Sequence, residues 1–286
     1  MHLIPPHPLT YRASLESFLR EDWGVGDWTS GAVPDRAMSA CVIAKSEMVI
    51  AGLVVAEELL RLTDSALLTE LFANDGDTLM AGYELMRVHG SCRSILMAER
   101  VMLNLLQRLS GTATLTRAFV DAVAGTGTRI LDTRKTTPGL KVLEKYAVRC
   151  GGGFNHRVNL ADGILIKENH IIAAGGIARA VESARFSSPN LLRIEVEVET
   201  LEQLSECLAI ADIDGVLLDN MDETSMERAV AMRNSSGRRL FLEASGNLTL
   251  TRAKSVALTG VDFLSVGALT HSAPAADLSL RFCENI

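Results

Sequence analysis

Two rhythms of apolar and polar positions divide this chain of 286 residues. In roughly the first hundred, helical and strand periodicities alternate irregularly. Residues 15–21 predict a short helix, Gly24, Gly26 and Gly31 a loop, residues 38–50 a strand ending at Gly52, and residues 54–63 a second helix. Asn74-Asp75-Gly76-Asp77 is a turn of residues that tolerate left-handed backbone, and a strand follows over 84–90. A long amphipathic helix starts at Ser94, and the pattern places its end near Leu109, where Ser110-Gly111 offers a glycine stop.

Beyond residue 120 the texture becomes regular. Six β-rich runs, 129–132, 163–166, 192–198, 215–218, 240–243 and 262–266, alternate with helical segments, their starts 22 to 34 residues apart. Each interval holds one crossover helix, so the strands are expected to be parallel, in an open doubly wound sheet or a barrel. The residues just past the strand ends favour the barrel: Arg134-Lys135, Lys167-Glu168-Asn169, Glu197, Asp219-Asn220, Ser245-Gly246 and Gly267. A barrel gathers chemistry from every strand end at one rim, whereas a doubly wound sheet concentrates it at one switch point. No GxGxxG joins a strand to a helix, which also argues against a dinucleotide fold.

Composition narrows the class. Hydrophobic residues at 48% and charged residues at 22% exclude a disordered chain, a collagen and a small disulfide scaffold. With 28 Lys+Arg against 35 Asp+Glu the net charge is −7, the wrong sign for coating nucleic acid or an anionic membrane, so neither is an expected partner. Five cysteines form no CxxC pair, so no zinc site and no disulfide framework is expected, and a reducing cytoplasm fits best. A signal-peptide pattern and a membrane-length apolar run are both missing.

Against the acidic whole, residues 129–170 hold eight Lys+Arg and four Asp+Glu, a local charge of +4 that leaves −11 for the rest. A cationic cleft in an acidic protein points to a small polyanionic ligand. Lys141, Lys145 and Arg149 read as a solvated helix face, with Glu144 pairing among them. Arg134 and Lys135 end a strand before a turn, where Arg supplies a bidentate fork for carboxylate and Lys a compact charge for phosphate. His156-Arg157 follows Gly151-Gly152-Gly153, either a helix cap or a place of close ligand approach. Lys167 ends an apolar strand, where a cation needs an anion or serves as a Schiff-base nucleophile. Glu195, Glu197 and Glu199 share one side of a strand. Glu197 with Asp219 suits a hard cation such as Mg²⁺, while Glu195 and Glu199 read as exposed ladder charges. Ser245-Gly246 and Gly267 stand where barrels bind phosphate.

The run Asp132-Thr133-Arg134-Lys135-Thr136-Thr137-Pro138-Gly139, then Glu144-Lys145-Tyr146-Ala147-Val148, Gly151-Gly152-Gly153, His156-Arg157 and Leu165-Ile166-Lys167-Glu168-Asn169-His170 closely resembles the quinolinate phosphoribosyltransferases. Val196-Glu197-Val198, Leu217-Leu218-Asp219-Asn220, Glu243-Ala244-Ser245-Gly246 and Ser265-Val266-Gly267 follow in the expected order. The resemblance implies an N-terminal α/β sandwich domain (residues 1–115, with a tail 274–286 packed on it) and an open six-stranded α/β barrel (116–273). It also implies a homodimer or a multiple of dimers. The implied reaction joins quinolinate to 5-phosphoribosyl-1-pyrophosphate, with Mg²⁺, giving nicotinate mononucleotide, pyrophosphate and CO₂. By the same resemblance Arg134, Arg157, Lys135 and His156 form the dicarboxylate pocket, and Lys135 and Lys167 also serve the sugar and pyrophosphate. Glu197 and Asp219 face ribose and metal-pyrophosphate, Ser245, Gly246 and Gly267 cradle the 5′-phosphate, and Arg108 is donated by the neighbouring subunit.

Two other functions compete. A non-catalytic paralogue of the molybdate-transport type would keep the scaffold with an altered binding face, which intact Lys167 and His156-Arg157 oppose. A Schiff-base aldolase would use Lys167 as its nucleophile.

Overall fold

A computed structural model of the chain describes residues 3–283. Its strands are β1 (Ala37–Ala44), β2 (Met48–Val49), β3 (Leu68–Leu71), β4 (Thr78–Leu79), β5 (Glu84–Ser91), β6 (Arg129–Leu131), β7 (Ile164–Ile166), β8 (Ile194–Val198), β9 (Gly215–Asp219), β10 (Phe241–Ser245), β11 (Phe263–Ser265) and β12 (Leu278–Phe282). The chain divides into two units: Met1–Arg117 with Lys135–Gly152 and Ala268–Ile286, and Ala118–Arg134 with Gly153–Gly267. The first unit thus takes in Lys135–Gly152, a segment the sequence assigns to the barrel. Residues 1, 2 and 284–286 of the expected domain ranges lie outside the described residues.

In the first unit an antiparallel sheet runs in the order β12-β1-β5-β3. The C-terminal strand closes its edge, with Val42 opposite Leu280 and Ala44 opposite Leu278. Against this sheet pack Leu15 and Leu19 of the helix Arg12–Trp23, Leu53, Leu59 and Leu60 of the helix Leu53–Thr63, and Met102, Leu106 and Leu109 of the helix Cys92–Ala122. All are buried, and each such leucine contributes about 1.5–3 kcal/mol relative to exposure.

The structure corrects four expectations here. The strand expected over 38–50 breaks after Ala44, and Met48–Val49 pairs instead with β4 in a separate ribbon; burial on both sides of the break keeps the apolar rhythm running through it. The helix expected to stop near Leu109 continues through Ser110 and Gly111 to Ala122. Gly111 is a point of close packing, since a Cβ there would overlap the carbonyl of Pro274. Cys41 and Cys283 form a disulfide with Cα atoms 6.4 Å apart, because the β1–β12 register sets them diagonally on one face. Lys145, expected on a solvated helix face, is only 2% exposed.

All six expected strands of the second unit form one parallel sheet in the order β6-β11-β10-β9-β8-β7. Its edge strands, β6 and β7, leave the barrel open between them. Helices connect the strands, each started by local chemistry: Thr200 and Gln203 form a reciprocal cap at Leu201–Ala209, and Asp222 accepts the Ser225 N–H at Glu223–Ser235. Among the described residues no helix is long and apolar enough to cross a membrane.

Candidate active site

Strand alternation sorts the second unit's side chains onto two faces. On β8, Ile194, Val196 and Val198 are buried on one face, and Glu195 and Glu197 take the other. The β8–β9 register pairs Glu197 with Leu217, so Asp219 stands two residues further along the same face, at the strand's C-terminal end. Ser245 lies beside Asp219 on β10. These groups share one rim with Lys167, which follows β7 and whose Nζ pairs with Glu197 Oε2. The lysine is nearly half exposed, so the pairing is not forced on it by burial.

Glu197 and Asp219 offer the oxygen donors a hard cation prefers, from neighbouring strands on one face. The Glu197 side chain is only 17% exposed, and Asp219 Oδ2 accepts the Asn220 amide at 2.8 Å. The pair fits Mg²⁺, which is usually held by one or two carboxylates together with substrate phosphate. Asn220 and Asn247 both adopt left-handed backbone, with φ of 53° and 47°, and are joined by a 3.2 Å hydrogen bond. Gly246, between Ser245 and Asn247, has φ of 95°, and a Cβ there would overlap Asn220 Oδ1. Only glycine fits this backbone against Asn220.

At the opposite edge, buried Asp132 holds the segment after residue 153 beside β6. It accepts the His156 N–H at 2.9 Å and the Asn155 amide at 2.6 Å, while Phe154 bridges to Leu131. Arg157 Nη1 donates to the Gly163 carbonyl at 3.0 Å. Burial pulls the Arg157 pKa below its usual value, and the neighbouring Arg134 guanidinium adds to the effect. Two cations held where they repel each other form a site that an anion stabilises.

Beneath the rim, His156 Nε2 lies 3.1 Å from Glu195 Oε2 and 3.8 Å from Glu243 Oε1. Glu195 is buried, not the exposed ladder charge expected of it; Glu199, past the strand, is exposed as expected. Burial and the neighbouring Glu195 push the Glu243 carboxyl well above the usual carboxylate range. His156, Arg157, Glu195 and Glu243 line a cavity of about 500 Å³. Sequence reasoning passed over Glu243 and Asp132 as site residues. The signal for Glu243 was its place two residues before Ser245, hence on the same face of one strand.

Arg108 and Lys135 belong to the first unit. Arg108 donates to Glu144 Oε1 from Nε and Nη2, to the Ala273 and Thr270 carbonyls, and to Thr137 Oγ1. Glu144 has no exposed surface and also accepts the Thr137 N–H at 2.9 Å. Donation of Arg108 to a neighbouring chain would require it to leave all these partners. Lys135 is exposed, and its carbonyl accepts the Thr270 hydroxyl at 2.8 Å.

The model of the quinolinate phosphoribosyl transferase N-terminal domain matches residues 27–110, and that of the C-terminal domain residues 112–281. This chain belongs to the quinolinate phosphoribosyltransferase family. A probable nicotinate-nucleotide pyrophosphorylase (carboxylating) of Synechocystis sp. is 43% identical over 95% of this chain and 92% of its own. One of Bacillus subtilis is 42% identical over 95% and 93%. Among solved structures, the nicotinate-nucleotide pyrophosphorylase from Francisella tularensis superposes with a TM-score of 0.92 at 40% identity, covering 98% of each chain. Within the quinolinate phosphoribosyltransferase fold, the second unit gathers Arg134, His156, Arg157, Lys167, Glu197, Asp219, Ser245, Gly246 and Gly267; Lys135 and Arg108 stand in the first.

Proposed function

We propose that this chain transfers the phosphoribosyl group of 5-phosphoribosyl-1-pyrophosphate to quinolinate with loss of CO₂, giving nicotinate mononucleotide and pyrophosphate. The observation that carries the reading is that one unit sets Lys167, Glu197, Asp219 and Ser245 along a single rim and also lines a cavity of about 500 Å³ with His156 and Arg157. The two substrates together bring about six negative charges at neutral pH, taking a phosphate second pKa near 6 as guide. Such a cargo relieves the arginines' repulsion, and a guanidinium fork matches each carboxylate in two bonds.

Binding and orientation come first in the mechanism. Arg134 and Arg157 take the pyridine dicarboxylate, with His156 lining the cavity beside Arg157. The 5′-phosphate rests against Ser245, Gly246 and Gly267. The ring nitrogen attacks the ribosyl anomeric carbon as the C–O bond to pyrophosphate breaks, the leaving group departing with the electron pair. Lys167 stabilises charge developing on that leaving group, while Glu197 favours the sugar's transient cationic character. Glu197 and Asp219 would hold Mg²⁺, whose charge, when bound, neutralises pyrophosphate. Ribosylation makes the ring nitrogen cationic. The bond to the adjacent carboxylate then breaks, CO₂ leaves, and the electron pair on the ring carbon takes a proton. The reading includes a homodimer.

Release of CO₂ from carboxyl-labelled quinolinate tests this directly. Release is expected only when the phosphoribosyl donor is present, with nicotinic acid, lacking one carboxylate, binding far more weakly in titration calorimetry. Donor-independent release, or equal affinity for the two acids, would defeat the reading. Borohydride trapping of a carbonyl compound on Lys167 would favour an aldolase instead.

A further inference from the structure

We propose that Glu195 is a positioning residue for dicarboxylate recognition, holding the His156 ring as its Nε2–H tautomer so that Nδ1 fixes the backbone of Arg157. The inference deepens the reaction proposed above and rests on it for the identity of the ligand.

The Arg157 N–H donates to His156 Nδ1 at 2.7 Å, which commits the lone pair of that nitrogen. In a neutral ring the proton then belongs to Nε2, the nitrogen 3.1 Å from Glu195 Oε2. Glu195 is 6% exposed, and Glu243, at 1%, stands at the same nitrogen with Oε1 3.8 Å away. The chain of contacts runs from β8 through the imidazole to the Arg157 main chain. A second support acts on the preceding peptide, since the His156 N–H donates to Asp132 Oδ1 at 2.9 Å. Gly163 receives the Arg157 side chain itself at 3.0 Å. Arg157 is thereby fixed at main chain and side chain alike, beside Arg134, before any ligand arrives. A group held in place by its supporting shell loses less freedom on binding, so removing a support weakens the ligand that group recognises.

His156, Glu195 and Glu243 also form the kind of cluster that holds a metal ion, their ligand atoms lying within 4.8 Å of one another. The tautomer argues against that use. An ion on Nε2 needs the lone pair of that nitrogen, which would send the ring proton to Nδ1 and straight at the Arg157 N–H.

The test has two arms. In long-range nitrogen–proton NMR of the full-length protein, with the His156→Gln variant assigning the signal, the ring is expected to show the Nε2–H pattern. An Nδ1–H pattern would overturn the proposal. In steady-state kinetics Glu195→Ala is expected to raise the KM for quinolinate roughly tenfold or more, the scale of one lost charge-assisted hydrogen bond, with little change in the donor's KM. Glu195→Gln, whose amide oxygen still accepts Nε2–H, restores most of that affinity. An unchanged quinolinate KM in folded Glu195→Ala, an equal rise for both substrates, or a stoichiometric metal lost with Glu195 would each defeat it. A failure of the wild type to turn over quinolinate would strike the reaction alone, because the ring signal reports the positioning without it.

Discussion

Arg108 meets Glu144, a carboxylate with no exposed surface, through both Nε at 3.0 Å and Nη2 at 2.8 Å. Removing the guanidinium strands a buried charge, which costs about 3–5 kcal/mol. Arg108→Ala is therefore expected to lose that much stability in chemical denaturation. Adding Glu144→Leu should return part of it, since removing both partners costs less than removing one. Because these bonds tie Arg108 to its own chain, mixing Arg108→Ala with Lys167→Ala subunits is expected to give no activity beyond the sum of the two variants measured separately. Activity above that sum in verified heterodimers would show that Arg108 works in the neighbour's site.

Lys167 and Glu197 form an ion pair across the rim, the lysine 47% exposed. Exposed pairs add little to stability, so the pair's value lies in what displaces it. Lys167→Ala is expected to fold with near wild-type stability and to lose roughly a hundredfold or more in kcat, the scale of one electrostatic stabiliser of a transition state. Chelation of divalent ions should abolish turnover. Glu197→Gln and Asp219→Asn should each raise the Mg²⁺ concentration needed for half-maximal rate; unaltered Mg²⁺ dependence in both would place the ion elsewhere.

Strand positions in the second unit were legible because each apolar run there is short, bounded and buried on one face; all six came out within two residues of their observed ends. The first unit was read less well for local reasons. Gly111 looks like a helix stop in sequence, and only the approach of Pro274, from far along the chain, explains a glycine inside a helix. Cys41 and Cys283 stand 242 residues apart, and their pairing follows from a strand register that no local pattern reveals. Among the residues of the proposed site, the positions of Lys167, Glu197 and Asp219 at strand ends were readable as polar breaks. Glu195 was not, because alternation puts it on the same face as Glu197 without saying which depth is covered. Its partner His156 arrives from the other edge of the sheet.

Acid should loosen the second unit at a defined place. Arg252 and Ser255 hold the Glu223 carboxyl down at about 2, against an ordinary value of 4.5. A depressed carboxylate contributes stability that is complete above the unfolded value and lost as pH falls through the folded one. Glu223→Gln should therefore be less stable than wild type at neutral pH, and the difference should shrink between about 4.5 and about 2. Melting temperatures of the two proteins across that range check it, and a gap that stays constant would show that Glu223 titrates normally.

Thiol titration gives the last prediction, because the fold sorts the five cysteines into two classes. Cys41 and Cys283 are joined, while Cys92, Cys150 and Cys207 are free and buried. Burial pushes the Cys150 thiol up, and that of Cys207 up to about 12, so the reactive thiolate is scarce at both. The native, unreduced protein is expected to react with almost no thiol reagent, the denatured unreduced protein with three equivalents, and the denatured reduced protein with five. The bond ties β12 to β1 across most of the chain's length, and its loss frees the C-terminal strand in the unfolded state. Cys283→Ser is expected to unfold at lower denaturant, by about 2–4 kcal/mol, with substrate KM values unchanged because the sheet edge belongs to the first unit. Five reactive thiols in unreduced, denatured protein would show instead that the two cysteines stay apart.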